Sequence, residues 1–135
     1  MTDRLAFSAQ FLDLSPRIVY STAVATSPTG STITTIGNLS LPSGVTIVKG
    51  VLLFAQAQYT VGTNGVSVLL QIKNGSTVVG TSGAITQVAT QLGQNSAWGV
   101  DTAAADGQAY VLAMTVASGS ATSTVSSLIF GAFII

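Results

Sequence analysis

The chain has 135 residues, of which only 6% are charged and 47% hydrophobic, with a formal net charge of zero. It contains no Cys, no His and no Glu, which removes disulfide and thiolate chemistry along with the commonest general base and metal ligand. Four scattered basic residues at zero net charge also make a poor phosphate-binding surface, so no nucleic-acid partner is expected.

The N-terminal stretch carries Arg4, Leu5, Phe7, Phe11, Leu12, Leu14 and Arg17 and is broken by Ser15-Pro16, where proline disfavours a continuing helix. It reads in two ways. It docks on the domain's own core as an edge strand or short helix, or it is an arm that reaches a neighbour or another partner. It has no uninterrupted apolar core of a signal peptide, and no run in the chain is long enough to span a membrane as a helix. The expected organisation is an arm and first strand over 1–26 and one β domain over 27–135.

Helix signals are sparse, whereas β-branched residues and turn signals recur at short spacing, which predicts an all-β fold. After Ser27-Pro28-Thr29-Gly30 a strand is expected over Ser31–Ile36. A corner at Leu41-Pro42-Ser43-Gly44 follows, then a long strand over Val45–Thr60 that Gly50 bends. The turn at Val61-Gly62-Thr63-Asn64-Gly65 leads into Val66–Lys73. Asn74-Gly75 is the strongest hairpin signal, because both residues tolerate the positive φ of a type I′ turn, and Ser76–Gly80 returns. Further strands are expected over Ala84–Gln91, Ser96–Ala103 and Gln108–Ala117, before Ser118-Gly119-Ser120 and a last strand from Ser126. About eight strands in one domain of this length fit a single-domain jelly-roll β-sandwich.

The last strand, Ser126-Ser127-Leu128-Ile129-Phe130-Gly131-Ala132-Phe133-Ile134-Ile135, is apolar on both faces. Successive side chains point to opposite sides of a sheet, so Leu128, Phe130 and Ile134 fill a core while Ile129, Phe133 and Ile135 face away. That second face needs a cover, and the economical cover is another copy of the same protein. A surface with so little charge would also be poorly soluble if left bare.

Three segments resemble the tumour-necrosis-factor and complement-type globular domains. The ending Phe130-Gly131-Ala132-Phe133 is similar to that superfamily's aromatic-Gly-x-aromatic closing strand. Ala105-Asp106-Gly107-Gln108-Ala109-Tyr110-Val111-Leu112 is similar to its penultimate strand, and Leu41-Pro42-Ser43-Gly44-Val45 to its corner, with Val45 in place of the usual aromatic. Val66–Gly80 resembles the corresponding hairpin of spore-surface and phage structural proteins. The resemblance implies a homotrimeric jelly roll with Tyr110, Ile129, Phe130, Phe133 and Ile135 at the trimer interface. Its small free-standing relatives imply a virion protein made in a host cytoplasm, a bacteriophage capsid decoration or cement protein. Arg4, Leu5, Phe7, Phe11, Leu12 and Arg17 would then contact a major capsid protein. The alternative is a receptor- or carbohydrate-binding tip domain of a phage fibre or spore-surface protein, with a site near Trp98 and Asn64.

Other candidate sites are weaker. Asp101 and Asp106 are the one carboxylate pair close in sequence, but Asp106-Gly107 suits a tight turn and calcium usually takes more oxygen ligands. No cofactor and no metal are expected. Ser and Thr nucleophiles lack a His to activate them, and neither Lys49 nor Lys73 sits in a recognisable motif, so the chain reads as a non-enzyme. Asn38-Leu39-Ser40 and Asn74-Gly75-Ser76 match the glycosylation sequon without further support. The sole tryptophan, Trp98, is expected in the core, with a sugar-stacking platform or contact hot spot as the other roles for it.

Overall fold

The structure is a computed structural model that describes residues 33–117 and 122–135 in full and the backbone of 18–21. The described residues form nine strands: β1 (Ile18–Ser21), β2 (Thr34–Ser40), β3 (Val51–Val61), β4 (Val66–Asn74), β5 (Thr77–Thr81), β6 (Ile85–Gln87), β7 (Gly93–Asp101), β8 (Ala109–Ala117) and β9 (Ser123–Ile134). They follow one pairing path, β1-β9-β3-β7-β5-β4-β8-β2, with β6 also on β4. Every pairing is antiparallel. The protein is an all-β sandwich whose two layers are β1-β9-β3-β7 and β5-β4-β8-β2.

The layers arise because the strands alternate strictly. In β3 and β7 every second residue is buried. Val51, Leu53, Ala55, Tyr59 and Val61 of β3 meet Val66, Val68, Leu70 and Ile72 of β4, Leu112, Met114 and Val116 of β8, and Phe130 and Ile134 of β9 in one core. Burying such side chains contributes on the order of 1.5–3 kcal/mol each, the main stabilising term in a chain without disulfides.

The link between the layers is narrow. β5 meets β7 at only two pairs, Gly80 with Gly99 and Thr81 with Trp98. A side chain on Gly99 would collide with the Val79 carbonyl oxygen, and one on Gly80 would lie 2.8 Å from the Trp98 backbone. Two facing glycines are what let the path fold over here. On the opposite flank β2 leans on β9, where Gly37 leaves room for Leu128 and Phe130.

Several boundaries differ from the sequence-based expectation. The long strand starts at Val51 rather than Val45, because the preceding loop caps the end of the chain instead of pairing as a strand. The Val48, Lys49 and Gly50 N–H groups all donate to the Ile135 carbonyl oxygen, and Ile135 N–H donates to Gly50 oxygen. Gly50, at φ 135° and packed on the Asp101 carbonyl, marks the bend. The expected strand Ala84–Gln91 shrinks to Ile85–Gln87, since the chain then turns through Thr90 at φ 65°, held by its N–H to Val61 oxygen. β7 starts earlier than expected, at Gly93, and stops at Asp101. In the last strand Ser126 is an extra residue: Gln58 pairs with Ser127 and Tyr59 with Val125. Ser31 and Thr32, the Ser118-Gly119-Ser120 turn and the N-terminal segment up to Arg17 lie outside the described residues.

The seam generates a test. Gly99→Ala should destabilise the fold by about 3 kcal/mol, the upper range for forced overpacking. Gly83→Ala, where an added Cβ meets nothing within 4 Å, should change stability by less than about 0.5 kcal/mol. Urea denaturation of the two variants reads the difference.

Candidate functional site

The parity that fills the core decides what the outer face of β1-β9-β3-β7 presents. Across β9, β3 and β7 the rows are Phe133, Leu52 and Val100; then Gly131, Phe54 and Trp98; then Ile129, Gln56 and Ser96; then Ser127, Gln58 and Gln94. The face is therefore graded. One end is aliphatic and aromatic, the other carries amides and hydroxyls, with Gln58 Nε2 donating to Gln94 Oε1 at 3.3 Å. None of these residues is charged.

Trp98 is the most prominent of them, at 70% exposure, which corrects its expected place in the core. Its parity on β7 is outward because Ala97 and Gly99 are the inward neighbours. The backbone beneath it is fixed by pairing with Phe54 on one side and Thr81 on the other. Beside the indole runs an open groove of about 330 Å³ lined by Val78, Val79, Gly80 and Thr81. Phe54 lies over Gly131, where a side chain would strike its ring. That explains the glycine between Phe130 and Phe133 as a seat for an aromatic of the neighbouring strand.

The residues expected at a subunit interface divide. Ile129 is 48% exposed, Ile135 is also exposed and Phe133 is half-buried on the outer face. Phe130 and Tyr110 are not available to a neighbour: both are buried in their own subunit. Phe130 points inward because it shares parity with Ala132 and Ile134. Tyr110 is held by a hydrogen bond, its hydroxyl donating to Asp101 Oδ2 at 3.0 Å. Arg4, Leu5, Phe7, Phe11, Leu12 and Arg17 lie outside the described residues.

Asp101 is a structural hub rather than half of a carboxylate pair. Asn74 Nδ2 donates to its Oδ2 at 2.9 Å and the Ala103 N–H to its Oδ1 at 2.9 Å, while Gln108 Nε2 donates to Asn74 Oδ1 at 2.8 Å. Asp106 instead accepts from the Gly44 N–H at 2.8 Å. The network explains the Asn74 sequon as a hairpin anchor. Asn64 likewise serves its own fold, its Oδ1 accepting the Ala89 N–H at 2.7 Å. Among the described residues no group of three or more His, Cys, Asp or Glu side chains is placed to hold a metal ion, and no helix is long and apolar enough to cross a membrane.

Sequence reasoning put Trp98 in the core first and on the surface as a sugar-stacking platform only in its alternative, and it missed the neighbours Phe54 and Val100, the latter 46% exposed. A signal was present in Gln94-Asn95-Ser96-Ala97-Trp98-Gly99-Val100-Asp101. Asn95 and Asp101 lie inward, because their polar groups are satisfied: Asn95 Nδ2 donates to the Val68 and Gly83 carbonyls. Two polar residues at core parity disguise the phase of the strand.

No family model matches the sequence, and no curated protein matches it. Among solved structures, TmCBM61 in complex with β-1,4-galactotriose aligns with a TM-score of 0.40 and 12% identity, covering 90% of each chain. A carbohydrate-binding module from Cellvibrio mixtus lichenase 5A in complex with cellotriose gives 0.36 and 10%, covering 87% of this chain and 96% of that one. A β-1,3-glucan-binding module from Bacillus halodurans gives 0.35 and 7%, over 84% and 87%. All three are carbohydrate-binding modules. Likeness at this level carries no ligand across, and the site is read from its own side chains.

Two buried tyrosines give opposite expectations. Burial raises the phenol of Tyr110 well above its usual range, with the Asp101 hydrogen bond and charge adding to it, and burial raises that of Tyr59. A raised phenol favours the neutral form in the folded state. Its contribution is therefore complete below the ordinary tyrosine value of about 10 and is lost as pH rises above it. Stability should be flat to about pH 9 and then fall by up to about 1.4 kcal/mol per pH unit per tyrosine. At neutral pH Tyr110→Phe should cost about 1–2 kcal/mol by leaving Asp101 short of a donor. Tyr59→Phe should be neutral or stabilising, since its hydroxyl has no partner among the described residues. Denaturant midpoints across pH 7–11 test both.

Proposed function

We propose that this chain is a non-enzymatic recognition module that binds a neutral glycan on the outer face of the β1-β9-β3-β7 layer, with Trp98 as the stacking platform. The observation that carries this reading is the exposed indole in the middle of a nine-residue strand. An aromatic so exposed forgoes the burial that stabilises the core residues around it, and aromatics serve best where one ligand face is apolar and its rim is polar. A sugar ring has that character, with C–H groups on its faces and hydroxyls at its edge. The groove along Val78–Thr81 gives the ring room, and Gln56, Ser96, Gln58 and Gln94 supply uncharged donors and acceptors. The absence of charge among the described residues of the face argues for a neutral ligand over an acidic one. The site sits on a sheet face and not on end loops, so Asn64 has no part in it. A phage fibre tip or a spore-surface domain is a fitting carrier for such a module.

A second reading is favoured by the apolar end of the same face. Leu52, Val100, Phe133 and Ile129 form an uncharged patch with the composition of an interface core, where charged residues are depleted and aromatics enriched. Copies of the chain packed there would make the homotrimeric jelly roll, and the pairing of first strand with last supports that winding. Such a trimer would decorate a capsid by binding the assembled shell better than its parts, which stabilises it by mass action. The N-terminal segment would make the contact with the major capsid protein.

The readings part in solution. On the first, Trp98→Ala abolishes glycan-array binding, with an affinity loss of about tenfold or more, and leaves the unfolding midpoint unchanged because the side chain is exposed. An array with no hits for the wild-type protein overturns it. On the second, light scattering gives a trimer that Ile129→Asp reduces to folded monomer; a monomeric wild-type protein overturns it.

A further inference from the structure

The opposite layer carries a second depression, of about 340 Å³, lined by Asn38, Leu39, Ser40, Lys73, Gly75, Ala109, Tyr110 and Val111. Its geometry follows from register. Asn38 of β2 pairs with Val111 of β8, and Val111 with Lys73 of β4, so the three stand in one row on the outer side of the sheet. In the next row Ser40 pairs with Ala109. Small side chains in the middle strand, flanked by longer polar ones on either side, leave a dip with an aliphatic floor, an ammonium on one wall, and an amide and a hydroxyl on the other.

No counter-charge faces this dip among the described residues. The described residues contain two cations, Lys49 and Lys73, and two carboxylates, Asp101 and Asp106. Asp101 is buried on the inner side with its oxygens taken by Tyr110, Asn74 and Ala103. Asp106 takes the Gly44 N–H. Lys73 is half-buried and has neither a hydrogen bond nor an ion pair among the described residues. An ammonium with no counter-charge beside it among the described residues is open to an anionic ligand. The wall that carries it is also firmly set, because the adjoining Asn74 is clamped between Asp101 and Gln108. A set wall lowers the ordering cost of binding.

We propose that this depression is a binding site for a small ligand bearing one carboxylate on a hydroxylated body, such as a sugar acid. Lys73 meets the carboxylate, Asn38 and Ser40 take the hydroxyls, and Val111 and Ala109 underlie the body. One ammonium matches one carboxylate. A phosphate dianion calls for more positive charge, or a fork of donors that an arginine would give and this site lacks. The site lies on the layer opposite Trp98 and stands or falls independently of the neutral-glycan reading.

Titration of the full-length protein with sodium glucuronate, followed by backbone amide NMR, tests it. Saturable shifts are expected at Asn38, Ser40, Lys73 and Val111 with a dissociation constant of about 1 mM, the range of a ligand held by a few polar contacts. Lys73→Gln should weaken binding about tenfold, and Trp98→Ala should leave it unchanged. Acetate and inorganic phosphate are the comparison probes, and both should bind more weakly. Absence of saturable shifts, an undiminished affinity in Lys73→Gln, or equal binding of acetate or phosphate would each overturn the proposal.

Discussion

Everything on the surface of this protein depends on the register of β3 between β9 and β7. Eleven residues of β3 pair with both neighbours over most of their length, and side-chain direction reverses at each step. A slip of β3 by one residue would bring Leu52, Phe54 and Gln56 into the core and expel Leu53, Ala55 and Ala57. The inner set is more apolar and better graded in size, so the register holds. Its consequence is that a second, outer set of large apolar residues must face away. The exposed platform is therefore a by-product of the same constraint that builds the core.

That constraint explains why the outer face of the last strand was legible in the sequence while Trp98 was read first as a core residue. Apolar residues on both faces of Leu128–Ile135 imply an outer apolar face whichever way the strand is phased, and Ile129 and Phe133 are found there. Trp98 required the phase of β7 itself. Asn95 and Asp101 occupy inward positions, which a reading by polarity assigns to solvent. Only the partners across the sandwich, carbonyls on β4 and beyond for Asn95 and the Tyr110 hydroxyl for Asp101, make those positions tolerable. They are non-local, and a single sequence does not display them.

Boundaries show the same division. Hairpin chemistry is local, so the sequence located this hairpin, but its turn falls one residue later, at Gly75-Ser76: Asn74 pairs with Thr77 and only Gly75 takes a positive φ. The start of β3 is not local, because Val45–Gly50 has strand-like composition yet serves as a cap on the carbonyl of Ile135. Likewise Val88 and Leu92 look like strand residues, but the backbone between them turns through Thr90, held by Val61 and by the Asn64 side chain acting on Ala89. Each departure is a place where a distant backbone group outweighed intrinsic preference.

The scarcity of charge ties these features together. With two cations and two carboxylates in the described residues, electrostatics has little part in holding the layers together, and each charged group stands out by what it does. Asp101 closes a buried network, Asp106 sets a turn, and Lys73 lines a depression with no counter-charge among the described residues. The neutral outer face of β1-β9-β3-β7 and the lone ammonium on the other layer therefore select differently. On the proposed reading one face would discriminate by shape and stacking and be indifferent to salt. The other depends on a single charge in a shallow setting, where screening matters. Two such faces on opposite sides of one core can be changed separately, because the packing between them belongs to neither.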